Sequence, residues 1–229
     1  MKKFELTDEF VTNVFGKKLF RIKALVAFGN VEKGELGGFI EKEDNLSHDG
    51  NAWVSGNAWV SGNAQVSGNA HVSGNAQVSD NAWVYGDAHV SGDAHVSGNA
   101  WVYGDAWVSG NAHVSGDAWV SGNAHVSGNA RVYGDAHVSG DARVSGDAHV
   151  SGDADYAVVI GFGRCFRTTT FFRCKDKILR VQCGCFYGDL AQFREIVKKT
   201  HGDSKYAKEY LAIADLMELH FSDECGGEQ

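Results

Sequence analysis

Proline is absent from all 229 residues, and no cysteine occurs before Cys165. Without proline, every backbone N–H stays available as a donor, so no strand is confined to a sheet edge for want of one. The missing cysteines exclude a disulfide framework over the first 164 residues. The five that do occur, Cys165, Cys174, Cys183, Cys185 and Cys225, are odd in number and lack a paired CxxC spacing. Reduced thiols are the expectation, and Cys183-Gly184-Cys185 is too tight a spacing to define a zinc site. No run of eighteen apolar residues appears, and the opening MKKFELTDEF has two lysines but no apolar stretch. The expectation is a soluble protein with no secretion signal, no membrane partner and a cytoplasmic location. Basic charge is scarce as well: from Asn51 to Asp153 nine aspartates face only Arg131 and Arg143, within a chain of net charge −8. Generic binding to nucleic acid is therefore not expected of this segment.

What fills the chain instead is a six-residue beat, Ala-x-Val-Ser/Tyr-Gly/Asp-Asn/Asp, which places alanine at every sixth position from Ala52 to Ala154 without an insertion. Alanine and valine lie two apart, so in an extended segment they point to one side and the intervening residue to the other. Alanine and valine are expected to face inward. The Gly-Asn or Gly-Asp pair is expected at each corner, where both residue types tolerate positive φ. Three bent strands then close an 18-residue coil, which becomes stable only by stacking on its neighbours.

This beat resembles the hexapeptide-repeat family, in which an aliphatic residue is followed four positions later by a small one, as in Val54 with Ala58 and Val60 with Ala64. The resemblance implies a mainly β fold, a left-handed parallel β-helix of triangular section. It divides the chain into an N-terminal cap (1–34), the β-helix (35–154) and a small α+β C-terminal domain (155–229). Ile40 and Leu46 continue the alanine register and predict an imperfect first coil from about residue 35. The whole chain also resembles phage and prophage hexapeptide-repeat proteins, through KGELGGFIEKEDNLS, the GNAxVSG coils and a TTTFFR…CGCFYG…HG…EY ending. That resemblance implies an accessory role in the cytoplasm of a bacterial host.

Residues 18 apart are expected to stack, which sorts the outward positions into three columns. The first reads Trp53, His71, His89, Trp107, His125, Arg143, and the second Trp59, Gln77, His95, His113, Arg131, His149. The third reads Gln65, Trp83, Trp101, Trp119, His137, Asp155, with Tyr85 and Tyr103 beside it. Trp83, Tyr85, Trp101, Tyr103 and Trp119 thus predict an aromatic face, and all six tryptophans sit at outward positions. A patch of this kind calls for a cover. The family resemblance implies a second copy of the chain, in a homotrimer. A ligand with stacking rings is the alternative. The histidines are scattered evenly rather than grouped, so no metal ligand set and no catalytic histidine is assigned.

The flanks depart from the beat. Val11 to Leu25 predicts a hairpin covering the open first coil, whose unpaired backbone would otherwise invite fibre growth. After Asp155, three short strands are predicted near 156–161, 167–174 and 177–183. A helix follows, opened by the capping pair Asp189 and Gln192, and Ser204 caps a second helix with Tyr206, Tyr210, Ile213, Met217 and His220 or Phe221 along one stripe. Arg164, Arg167, Thr168, Thr169, Thr170 and Arg173 crowd the loop and strand between, with His201 near the first helix end. Arginine forks and hydroxyl donors suit phosphate or carboxylate, so these seven are the candidate anion-binding residues.

These features predict a non-enzymatic binding protein that sequesters an anionic small molecule, such as a nucleotide immune signal, or blocks a host defence protein. Two alternatives remain: an acyltransferase-like enzyme, implied by the family, and a purely structural assembly protein. The coils carry no inserted loop of the kind that builds an acyltransferase pocket, so no catalytic residue and no cofactor is assigned. The inward register is testable on its own. Val102→Asp places an unpaired charge in the coil at a cost of several kcal/mol and should abolish the cooperative thermal transition. A fold that tolerates this substitution would refute the assignment of valine to the interior.

Overall fold

The computed structural model describes residues 2–222; Cys225 lies outside them. Seventeen two-residue strands, β4 to β20, run from Trp53–Val54 to His149–Val150, one for each hexad. They form three parallel sheets in which every third strand is a neighbour, so residues 18 apart pair: Trp101 with Trp83 and Trp119, His95 with Gln77 and His113. The architecture is a parallel β-solenoid of nearly six coils. Each coil donates to the next through bonds such as Trp101 N–H to the Ala118 carbonyl (2.9 Å) and Tyr103 N–H to the Val120 carbonyl (3.0 Å). The alanines and valines from Ala52 to Val150 are all buried and form one continuous core. Each buried valine contributes about 1.5–3 kcal/mol relative to exposure, before the entropy of ordering the chain is counted.

At the corners the two residues of Gly-Asn/Asp, both of which tolerate positive φ, divide the labour. Only the first adopts it, as in Gly104 (φ +70°), giving the sign pattern of a II′ turn; Asp80 is the one repeat position where a non-glycine residue is held there (φ +60°). The second residue builds ladders up the corners instead. Asn63 Nδ2 donates to Asn81, Asn81 to Asn99, and Asn99 to Asp117 at 2.9–3.1 Å. Other runs end at Asp87, Asp93, Asp141 and Asp147. Every run stops at an aspartate because an ionised carboxylate accepts but has no proton to pass on.

The first coil is longer than the 18-residue register predicts. Ile40 pairs with Val60 and Leu46 bridges Val66, each a separation of 20, where the expectation had them opposite Ala58 and Ala64. A slip of two residues keeps the same face inward, so both remain buried. The N-terminal hairpin also begins earlier than expected. β1 (Phe4–Thr12) and β2 (Lys18–Ala24) pair antiparallel, and β2 pairs with β3 (Leu36–Ile40), which joins the solenoid through β5 (Trp59–Val60). Two buried polar side chains satisfy the exposed coil end. Lys3 Nζ donates to the Ala52 carbonyl (2.9 Å), burial pushing its pKa down to about 8, and Asn45 Nδ2 donates to the carbonyls of Gly62 and Ala64.

Beyond the last coil lie four antiparallel strands rather than three: β21 (Tyr156–Val159), β22 (Thr169–Arg173), β23 (Leu179–Cys183) and β24 (Phe186–Asp189). The fourth went unpredicted because Gly184 and Cys185 form a two-residue hairpin loop, with Gly184 at φ +59°. Alternation along β22 splits the sheet. Phe172 joins the solenoid core, whereas Phe171 faces α1 (Leu190–His201) and α2 (Lys205–His220). Both helix caps form as read: Asp189 and Gln192 exchange hydrogen bonds, and Ser204 accepts from Ala207 N–H. The inner stripe of α2 runs through Ala207, Tyr210, Ile213, Ala214, Met217 and Phe221, while Tyr206 and His220 lie outside it. Arg194 ties the helices through Asp215 (2.8 Å) and Glu218 (2.6 Å). Among the described residues no helix is long and apolar enough to cross a membrane.

Stacking at the corners separates two costs that a glycine substitution usually mixes. A Cβ on Gly104 would lie 3.0 Å from the Gly122 backbone nitrogen, whereas one on Gly140 (φ +65°) meets nothing within 4 Å. Gly140→Ala should cost about 1–2 kcal/mol for the left-handed conformation alone. Gly104→Ala should lower the thermal midpoint further, and equal midpoints would show that contact between corners adds nothing.

Candidate functional site

The loop before β22 and the last turn of α1 bring Arg164, Arg167 and His201 to the sheet's helix side. A cleft of about 620 Å³ opens there, with Arg164, Arg167 and His201 on its wall and Phe186, Phe193 and Tyr210 among the apolar residues lining it. This volume falls within the range of small-molecule sites, as does the pairing of apolar walls with a few polar groups. Cys165, Cys183 and Cys185 also line it.

Local contacts explain why these residues converge. Gly163 N–H donates to Glu209 on α2 (3.0 Å), and Tyr210 Oη donates to the Phe162 carbonyl, which holds the loop carrying Arg164 and Arg167 against that helix. Gly184 leaves room for the Arg167 guanidinium, which lies where a Cβ would otherwise stand. His201, in the last turn of α1, stacks on Tyr210 with ring centres 5.9 Å apart. Burial, with Cys183 beside it, pushes the Tyr210 hydroxyl up to about 12, so the ring stays neutral across the physiological range.

The seven predicted anion-binding residues are therefore not one cluster. Arg164, Arg167 and His201 meet at the cleft. Thr168 lines a smaller cavity that shares Arg167. Thr169 and Thr170 are buried, the first donating to Cys183 Sγ (3.2 Å) and the second accepting from Arg143 N–H (3.0 Å), which makes Thr170 part of the joint with the last coil. Arg173 pairs with Asp155 and donates to the Phe221 carbonyl (3.0 Å), joining β22 to the end of α2. The apolar wall, Phe186, Phe193 and Tyr210, was missed as a site because its helix and strand spacing reads equally well as core. Arg143 was visible as the basic end of a column of rings, but only the tertiary arrangement sets it near the C-terminal sheet.

On the solenoid, the aromatic columns stack as the 18-residue spacing requires. Ring centres lie 5.7 Å apart for Trp83 and Trp101, 5.3 Å for Trp101 and Trp119, and 5.0 Å for Tyr85 and Tyr103, with interplanar angles of 18°, 12° and 4°. The rings thus spend their faces on one another and present their edges. Trp83 and Trp119 remain 38% exposed. Trp53 differs: its outward position is covered by the N-terminal segment, where it meets Phe28 edge-on, and it is buried. Histidines stack likewise, His95 on His113 at 4.8 Å and His71 on His89 at 5.4 Å. Burial first, then the neighbouring histidine, holds His71 and His113 below the usual imidazole range. Among the described residues, no group of three His, Cys, Asp or Glu side chains is placed to hold a metal ion.

The coils and the cleft define a β-solenoid repeat protein with a small α+β unit at its C-terminal end. A family model described as the YdcK beta solenoid repeat matches residues 64–79, 76–92, 94–110, 124–140 and 136–152. All five segments lie within the coils. No curated protein matches the chain.

Proposed function

We propose that this β-solenoid is a non-enzymatic binding protein whose C-terminal cleft captures a small anion bearing a planar ring, of the nucleotide kind. The observation that carries this reading is the convergence of Arg164, Arg167 and His201 on a cleft walled by Phe186, Phe193 and Tyr210. Guanidinium groups supply forked donors for phosphate or carboxylate, and the apolar wall shelters a ring from water. The resemblance to phage-type accessory proteins supports a setting for such capture: sequestering a nucleotide signal of a host defence in the bacterial cytoplasm. Calorimetric titration with nucleoside monophosphates tests the site. Arg167→Ala should weaken binding about tenfold or more, the scale of one lost charge-assisted hydrogen bond. Failure of every nucleotide to bind, or affinities unchanged in both Arg164→Ala and Arg167→Ala, would sink the reading.

The aromatic face supports a second element of the same proposal, self-association. Because the Trp83, Trp101 and Trp119 rings face one another, their exposed edges suit packing against a protein surface better than stacking under a flat ligand. The partner is another copy of the chain, in the trimer that the family resemblance implies. Trp101→Ala should reduce the native mass to that of a monomer while circular dichroism stays unchanged. An unaltered native mass in that variant would exclude this face as the interface.

A further inference from the structure

We propose that the ligand site continues out of the cleft across Arg167 onto the last coils of the solenoid, and that its ligand is an organic polyphosphate rather than a monophosphate. This rests on the cleft reading above and adds a second compartment to it. Next to the cleft, a polar cavity of about 350 Å³ is lined from the C-terminal unit by Arg167, Thr168 and Gly184, and from the solenoid by His125, Arg143 and Asp141. Arg167 is common to both cavities, so the two adjoin.

The chemistry of the compartments differs in the way such a ligand requires. The cleft offers aromatic and aliphatic walls beside its arginines and suits the ring. The smaller cavity offers two guanidinium groups, a hydroxyl and an imidazole, with no large apolar side chain, and suits an extended anion. Arg143 is exposed and is anchored through its own backbone: its N–H donates to Thr170 Oγ1, which fixes the start of the side chain against β22. Burial and the adjacent Arg143 hold His125 below the usual imidazole range, so it enters the cavity as a neutral ring able to donate one hydrogen bond. Asp141 opposes an anion; it accepts from Asn123 Nδ2 (2.9 Å) at the end of a corner ladder. That opposition gives the proposal a test of both signs.

The full chain is titrated calorimetrically, in buffer free of divalent cations, with adenosine 5′-monophosphate and adenosine 5′-triphosphate, then with the guanosine pair. The triphosphate should bind about tenfold or more tightly than the monophosphate, one charge-assisted contact being worth that much. Arg143→Ala should remove the preference and leave the monophosphate affinity unchanged; as an outward substitution between buried Ala142 and Val144, it leaves the coil interior intact. Asp141→Asn should widen the preference, a gain that misfolding cannot imitate. Equal affinity for mono- and triphosphate, or a preference that survives Arg143→Ala, would overturn the extended site while the cleft reading stands. Absence of binding by all four nucleotides would overturn both.

Discussion

Everything in this molecule depends on the hydrogen-bond ladder between coils. A two-residue strand is far too short to persist alone, and each coil is held because its backbone N–H groups find carbonyls 17 residues onward, as Trp101 does at Ala118. From Trp53 onward such a ladder keeps every coil at 18 residues, with small residues in the interior and a backbone N–H at each paired position. It also leaves the two ends unsatisfied. The N-terminal end is closed by Lys3, Asn45 and a hairpin, and the C-terminal end by a sheet whose Phe172 enters the solenoid core. These closures account for the fact that the non-repeating residues lie at the ends.

In-register stacking also dictates what happens outside. Any residue at an outward position rests on the residue 18 places away, so the choice of side chain is repeated or matched up the column. Tryptophan on tryptophan and tyrosine on tyrosine contribute about 0.5–1.5 kcal/mol per pair beyond burial. Asparagine on asparagine passes a hydrogen bond along the corner until an aspartate ends the run. The same geometry that stabilises these columns uses up the faces of their rings and leaves their edges to solvent.

The C-terminal end brings together residues remote in sequence, as Gly163 with Glu209. The sheet built from β21 to β24 has one side committed to the last coil and the other to two helices, and the cleft opens along the helix side. Arginines that look equivalent in the sequence acquire different duties there. Arg173 bonds to the carbonyl of Phe221 and braces the helix end, whereas Arg164 and Arg167 reach the cleft. The threonines divide in the same way, Thr170 being spent on the Arg143 backbone.

The repeat made the solenoid legible without coordinates, because a period of six with alanine and valine two apart admits one inward face, and three such strands make one coil. The columns followed by arithmetic, as did the capping pair Asp189 and Gln192. What arithmetic could not supply were features set by packing across long separations: the 20-residue first coil, the burial of Trp53 under Phe28, the hairpin at Gly184 and the partition of the basic cluster. Local patterns determine which way a side chain points from its own backbone. Only the tertiary structure decides what stands opposite it, and for a binding site that second fact carries the chemistry.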